Sequence, residues 1–349
     1  MRRNVRNLIV FATLICGFMA TAGPQSGPLD LNAFFTQNIG LTKDQVANIH
    51  KGKPAALAMK SRIPDEIFIF GAVYIDAEPE KYIEFITDIE RLSKMPEYPA
   101  IGLFSQPPAV SDLKDFELDS DDITALKKCK PGDCLIQLPA SGMGEFSKSI
   151  NWSAPDAARQ VNELLRKKVV QRLLEYQKGG NQVLGQYDDR RDPMKVAEQF
   201  KYMISYTKVL PSYLPSFYNY LINYPEAKPA NAEDTFQWAK VKFGLKPTLR
   251  ILHIVTMRGS GPNEPAYAIA EKQLYSSHYF ATALDLTFCI RDRLDSKKKG
   301  FYLLRAMGSE QAGLTGFKGS IVRRAAVGRS VSGLEKSLAA IKKTLETGK

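Results

Sequence analysis

The sequence predicts an α+β fold: an antiparallel sheet, a long C-terminal helix packed on it, and a helical insertion. Three observations carry this. "EIFIFGAVYIDA" (66–77) is dense in β-branched and aromatic residues and runs into a helix-start signal at Glu78-Pro79. Between 248 and 290, three β-prone runs follow one another with short connections, the pattern of antiparallel neighbours. From about Gly319 to Glu346, Val331, Leu334, Leu338, Ile341 and Leu345 recur three and four apart, which lines one face of a helix that must be buried.

The elements follow in order. Residues 23–62 read as an N-terminal arm with a short helix at Lys43 to His50. The 66–77 strand is apolar on both faces and so predicted to be buried. The helix after it carries Tyr82, Ile86, Ile89 and Leu92 on one side. Short β-prone pieces at Ala100–Phe104 and Phe116–Leu118 lead to "CKPGDC" and "CLIQLPA". A helical regime then runs from Ser153 to Pro225. Ser153 and Asp156 form a capping-box start, Val161, Leu164, Leu165, Val169, Leu173 and Tyr176 a stripe, and Gly179-Gly180 a stop. Two more helices are expected at about 193–209 and up to Asn223. The sheet resumes with "TLRILHIVTM", "AYAIAEKQLY", "SHYFATALDLTFCI" and "GFYLLRAM". The predicted organisation is a signal peptide (1–22), the arm (23–62), a first sheet portion (63–150), the insertion (151–235) and a second portion with the closing helix (236–349).

The N-terminus reads as a secretory signal: Arg2, Arg3 and Arg6, an apolar core from Leu8 to Met19, and small residues Ala20-Thr21-Ala22. That core is shorter than the ~20 residues a membrane span needs. Ile15 before Cys16 argues against lipidation. Export to an oxidising compartment, periplasmic or extracellular, is the expectation, and there cysteines pair. Cys129 and Cys134 flank the turn-forming Pro131-Gly132, so their sulfurs can meet across a tight loop. A redox pair would be spaced Cys-x-x-Cys, and a zinc site needs further ligands that His50, His253 and His278 do not supply at matching spacing. A staple is therefore expected, with Cys289 a buried thiol among Leu286, Phe288 and Ile290. No metal and no cofactor is expected.

The 349 residues are 44% hydrophobic and 24% charged, ordinary for a globular chain. The formal net charge is +11, or +8 without Arg2, Arg3 and Arg6. In an exported protein this favours acidic ligands or peripheral contact with an anionic membrane over nucleic acid; the plainer alternative is a solvated basic surface. The one basic run, Lys297-Lys298-Lys299, falls in an expected hairpin loop.

"FGAVYIDAEPEKYIEFITDIERL" at the front and "SIVRRAAVGRSVSGLEKSLAAIKKTLE" at the back resemble the opening strand and helix and the closing helix of the START and Bet v 1-like helix-grip superfamily (SRPBCC). The match covers roughly residues 64–140 and 246–347 and rests on element order. "CKPGDC" and "KQLYSSHYF" also resemble stretches of a group of exported bacterial proteins, a likeness that implies no activity. The superfamily resemblance implies a curved sheet gripping the closing helix around an apolar cavity that takes a hydrophobic small molecule or lipid. His253 and His278, in phase with the apolar faces of their strands, would be polar handles there, with Tyr275 and Phe280 beside His278. The aromatic-rich segment from Phe200 to Tyr224, including Tyr213 and Phe217, would form a lid or a membrane contact. The plainer alternatives are satisfied core histidines and rings that pack the insertion onto its host.

Two rival classes are an enzyme and an envelope interaction protein that uses the insertion as a partner surface. Ser276 and Ser277 beside His278, with Asp285 downstream, invite a hydrolase reading. However, adjacent strand residues point to opposite faces, and there is no Gly-x-Ser-x-Gly elbow. "YDDRRDP" (187–193) gathers Asp188, Asp189 and Asp192 without the ligand spacing of a calcium loop. No catalytic residue is assigned.

Overall fold

The computed structural model describes residues 29–348 except 191–193, 207–209, 243–245, 262, 293–299 and 312. The signal segment, Asp192 and the Lys297-Lys298-Lys299 run lie outside the described residues. Strands β1 (Ala55–Met59), β2 (Glu66–Ile75), β3 (Ala100–Leu103), β6 (Ala232–Lys242), β7 (Pro247–Arg258), β8 (Tyr267–Ser276), β9 (Phe280–Arg291) and β10 (Phe301–Gln311) form one antiparallel curved sheet in the order β1-β2-β10-β9-β8-β7-β6-β3. A separate ribbon pairs β4 (Gln186–Tyr187) with β5 (Met194–Lys195). Consecutive strands from β6 to β10 are neighbours, as short connections favour. The early strand β2 closes onto the last strand β10 over ten paired residues, Glu66 against Glu310 through Ile75 against Phe301.

The helices are α1 (Leu31–Ala33), α2 (Lys43–His50), α3 (Pro79–Thr87), α4 (Ile89–Ser93), α5 (Ser120–Leu126), α6 (Ala140–Ser149), α7 (Ala157–Gly179), α8 (Val196–Tyr206), α9 (Leu210–Tyr213), α10 (Pro215–Asn223) and α11 (Gly316–Thr347). They cover opposite faces of the sheet. On one face, α11 sets Leu334, Leu338, Ile341 and Leu345 against Ile67, Ile69, Val73 and Ile75 of β2 and Phe301 and Leu303 of β10, with Tyr82 of α3 beside them. Gly71 permits this approach: a Cβ there would stand 2.7 Å from Leu334 Cδ2. On the other face, α7, α8 and α10 pack Val161, Leu165, Leu173, Tyr176, Phe200, Met203 and Phe217 against Phe68, Phe70, Tyr302, Leu286 and Met257. All ten positions of β2 are buried, because both of its faces are covered.

Several expectations need correction. Phe116 and Leu118 are buried in irregular chain, and "CLIQLPA" forms no strand. Gln137 there gives its backbone N–H to Ser277 O and its side-chain amide to Ser276 O and Phe280 O, bonds that replace a ladder. Helical structure begins well before 151, with α5 and α6. The sheet resumes at Ala232 in β6, whose Glu233, Asp234 and Lys240 interrupt the apolar signal. The N-cap of α7 is Asp156, which binds Arg159 and Gln160 and makes no backbone cap bond.

The stapled turn is as expected. Cys129 and Cys134 are disulfide-bonded with Cα atoms 4.5 Å apart, and Gly132 takes the left-handed φ of +80° that closes the turn. The turn docks on the chain before β5, where Gly132 N–H donates to Asp188 O and Cys134 N–H to Asp189 O. Cys289 is a buried free thiol whose pKa burial pushes up. Denatured chain without Cys16 is expected to titrate one thiol before reduction and three after. Three before reduction would contradict the staple. Closing so short a loop stabilises by about 2 kcal/mol, which reduction should remove from the urea unfolding free energy.

Candidate functional site

Strand alternation places a charged cluster in the middle of the face that α3 and α11 cover. Arg305 stands between Leu303 and Met307 on β10, opposite Thr287 of β9, and Asp285 of β9 is paired in register with Glu271 of β8. Arg250 of β7 joins them through its Nε, which donates to Gln273 Oε1 at 2.8 Å. Tyr82 of α3 bonds Thr287 from above, and burial raises its hydroxyl pKa. Tyr98, after α4, lies against the same charges and is raised by burial and by Glu271. Apolar Met307 stands opposite Asp285 and Ile254 opposite Glu271, and Ala326 and Val327 of α11 pack on the apolar cluster of the same face.

The electrostatics are strained. Like charges directly opposite across a strand pair repel, and burial together with Glu271 holds the Asp285 carboxyl well above the usual range, against the pull of Arg305 and Arg250. Arg305 Nη2 is 3.8 Å from Asp285 Oδ2, a loose pair, and Arg305 Nε is buried with no hydrogen-bond partner. The two side chains keep 15% and 19% exposure, so they lie within reach of solvent. A buried donor without a partner costs about 1–3 kcal/mol, so the site is incompletely satisfied. It offers guanidinium donors beside two carboxylates, one of which takes up a proton readily.

Sequence reasoning missed this cluster because single charged residues in a strand read as its solvent face. The available signal was that Arg250, Glu271, Asp285 and Arg305 hold one phase in four runs that antiparallel pairing brings side by side.

The residues anticipated from sequence lie on the opposite face or in its connections. His253 is 0% exposed, with Nε2–H donating to Asp234 Oδ1 at 2.8 Å, Nδ1 accepting from Tyr176 Oη at 2.9 Å, and its ring stacked on Phe236. Burial, opposed by Asp234, lowers its pKa to about 4. The partners of His278 are Asp122 Oδ2 at 2.9 Å and Leu135 O at 3.0 Å. Each histidine is thus held by its own acid, and the two do not share a site. Tyr275 faces Tyr187 with its hydroxyl buried and unpartnered, while the Phe280 carbonyl accepts from Gln137 and Gln273. Tyr213 is half-buried and Phe217 buried in the core beneath the helical block. Neither serine hydroxyl meets an imidazole: Ser276 donates to His278 O and Ser277 accepts from Leu249 N–H. A shallow apolar pocket on the block face is lined by Met59, Phe68, Met203, Tyr206, Leu284 and Leu286. Among the described residues no group of three or more His, Cys, Asp or Glu could hold a metal ion, and no helix is long and apolar enough to cross a membrane.

Fold and site together define an α+β protein with an antiparallel curved sheet, a helical block on one face, and a charged, incompletely satisfied cluster under the helices of the other. No protein-family model matches the chain, and no curated protein matches it.

Proposed function

We propose that this is an exported binding protein for a hydrophobic small molecule or lipid that carries a polar group. The polar group docks on Arg305 and Asp285, and the apolar body lies along Met307, Ile254 and Val327. The observation that carries the reading is the buried, unpartnered Arg305 Nε beside the opposed Asp285–Glu271 pair. Perturbed, unsatisfied charges gathered under an apolar rim favour a ligand that completes their hydrogen bonds. The superfamily resemblance supports the same reading, since β2 and β10 are adjacent and α11 packs on β2 and its neighbour β1. The disulfide and the Arg-led apolar N-terminus support export.

Native mass spectrometry of protein purified from its own compartment tests this. A stoichiometric apolar adduct is expected on the wild type, with occupancy at least tenfold lower on Arg305→Leu. A bare mass for the wild type would count against ligand binding, whereas equal occupancy on both would move the ligand elsewhere.

A further inference from the structure

The first half of α11 carries a second surface that the packing leaves outside. Successive helix residues turn by about 100°, so Leu334, Leu338, Ile341 and Leu345 share the buried side, Ile321 and Ala325 point away from it, and Phe317 stands at its flank beside them. Phe317 is 84% exposed, Ile321 59% and Val322 54%, the most exposed apolar stretch of the helix. Lys318 and Arg329 flank this stripe on one side and Arg324 on the other, and from Gly316 to Leu334 the helix contains no acidic residue. The helix is held in place from beneath: Arg323 Nε donates to Pro64 O at 2.8 Å and Nη2 to Ser61 Oγ at 2.9 Å, and the neighbouring Ile63 is itself exposed.

We propose that this face docks on an anionic lipid surface, with Phe317 and Ile321 entering the acyl boundary and Lys318, Arg324 and Arg329 at the headgroups. An exposed apolar strip bordered by cations, on a helix whose reverse side is packed on its own sheet, is the pattern of a helix lying in a membrane interface. A second copy of the chain fits less well. Two such faces would oppose like charges, and the patch, about 20 Å by about 10 Å, offers roughly 200 Å² where a stable interface needs ~800 Å² per partner. The face lies on the outer side of α11, away from the Arg305 cluster, so docking and ligand binding can fail independently.

The test is sedimentation of the full chain with phosphatidylcholine vesicles, with and without 30% phosphatidylglycerol, beside Phe317→Glu/Ile321→Glu, a double variant with the same N-terminus. Any contribution of residues 8–19 is then common to both. Binding to the anionic vesicles is expected to weaken with salt and to drop at least tenfold in the variant at unchanged Tm, since both side chains are exposed. The proposal is overturned by no preference for anionic vesicles, by equal binding of the two proteins, or by a concentration-dependent dimer that the variant abolishes.

Discussion

Leu338→Ala is expected to lower the unfolding free energy by about 3–5 kcal/mol. Leu338 is fully buried where α11 crosses β2, and a Cβ on Gly71 would lie 3.0 Å from its Cδ1. The lost methyls leave a gap between a hydrogen-bonded strand and a helix anchored at Leu334 and Ile341, and neither can settle into it. Urea denaturation reads the loss. A change below about 1 kcal/mol would mean that the helix is not held through this contact. Leu338→Met, nearly equal in volume, should cost under about 1.5 kcal/mol.

Lys272→Met is expected to stabilise the protein near neutral pH by roughly 1–4 kcal/mol, an advantage that fades as the pH approaches 10. Lys272 is buried on the face under the helical block. Its Nζ donates to Asn181 Oδ1 at 2.5 Å and lies 5.2–5.7 Å from the ring centres of Tyr176, Phe200 and Tyr224. Burial lowers its pKa from 10.5 to about 7, and Asp234 only partly offsets this. Between those values the unfolded chain binds the extra proton, so wild-type stability rises with pH through that window by roughly 1.4 kcal/mol per unit. Its charged and titrating neighbours do not share the window: His253 titrates at about 4, Asp234 is held ionised, and burial raises Tyr176 and Tyr224. The variant should lack this rise. Parallel pH profiles for the two proteins would sink the assignment.

Much of the architecture was legible along the chain. The periodicity of Leu334, Leu338, Ile341 and Leu345 identified the closing helix, and the runs at 248–257 and 277–290 identified two long strands within about three residues of their ends. CKPGDC declared its own disulfide because both sulfurs and the turn lie within six residues. The short edge strand β1 gave little signal, since Ala55, Ala56 and Ala58 are weak strand formers placed by pairing with β2. The candidate site was not legible for a different reason: each of its charges is unremarkable in its own strand.

By itself, the sequence determined which side chains share a strand face or a helix stripe, because alternation and helical turn are local properties of the backbone. It determined as well that the strand at 66–75 is buried on both sides. Only the tertiary structure decided which cover each face received, since two apolar faces are equivalent until something packs on them. That choice put His253 against Tyr176 and Asp234 under the helical block and gathered Arg305, Asp285, Glu271 and Arg250 under α3 and α11. Energies that arise from proximity, a repelled carboxyl or a guanidinium Nε without a partner, exist only once the strands are aligned.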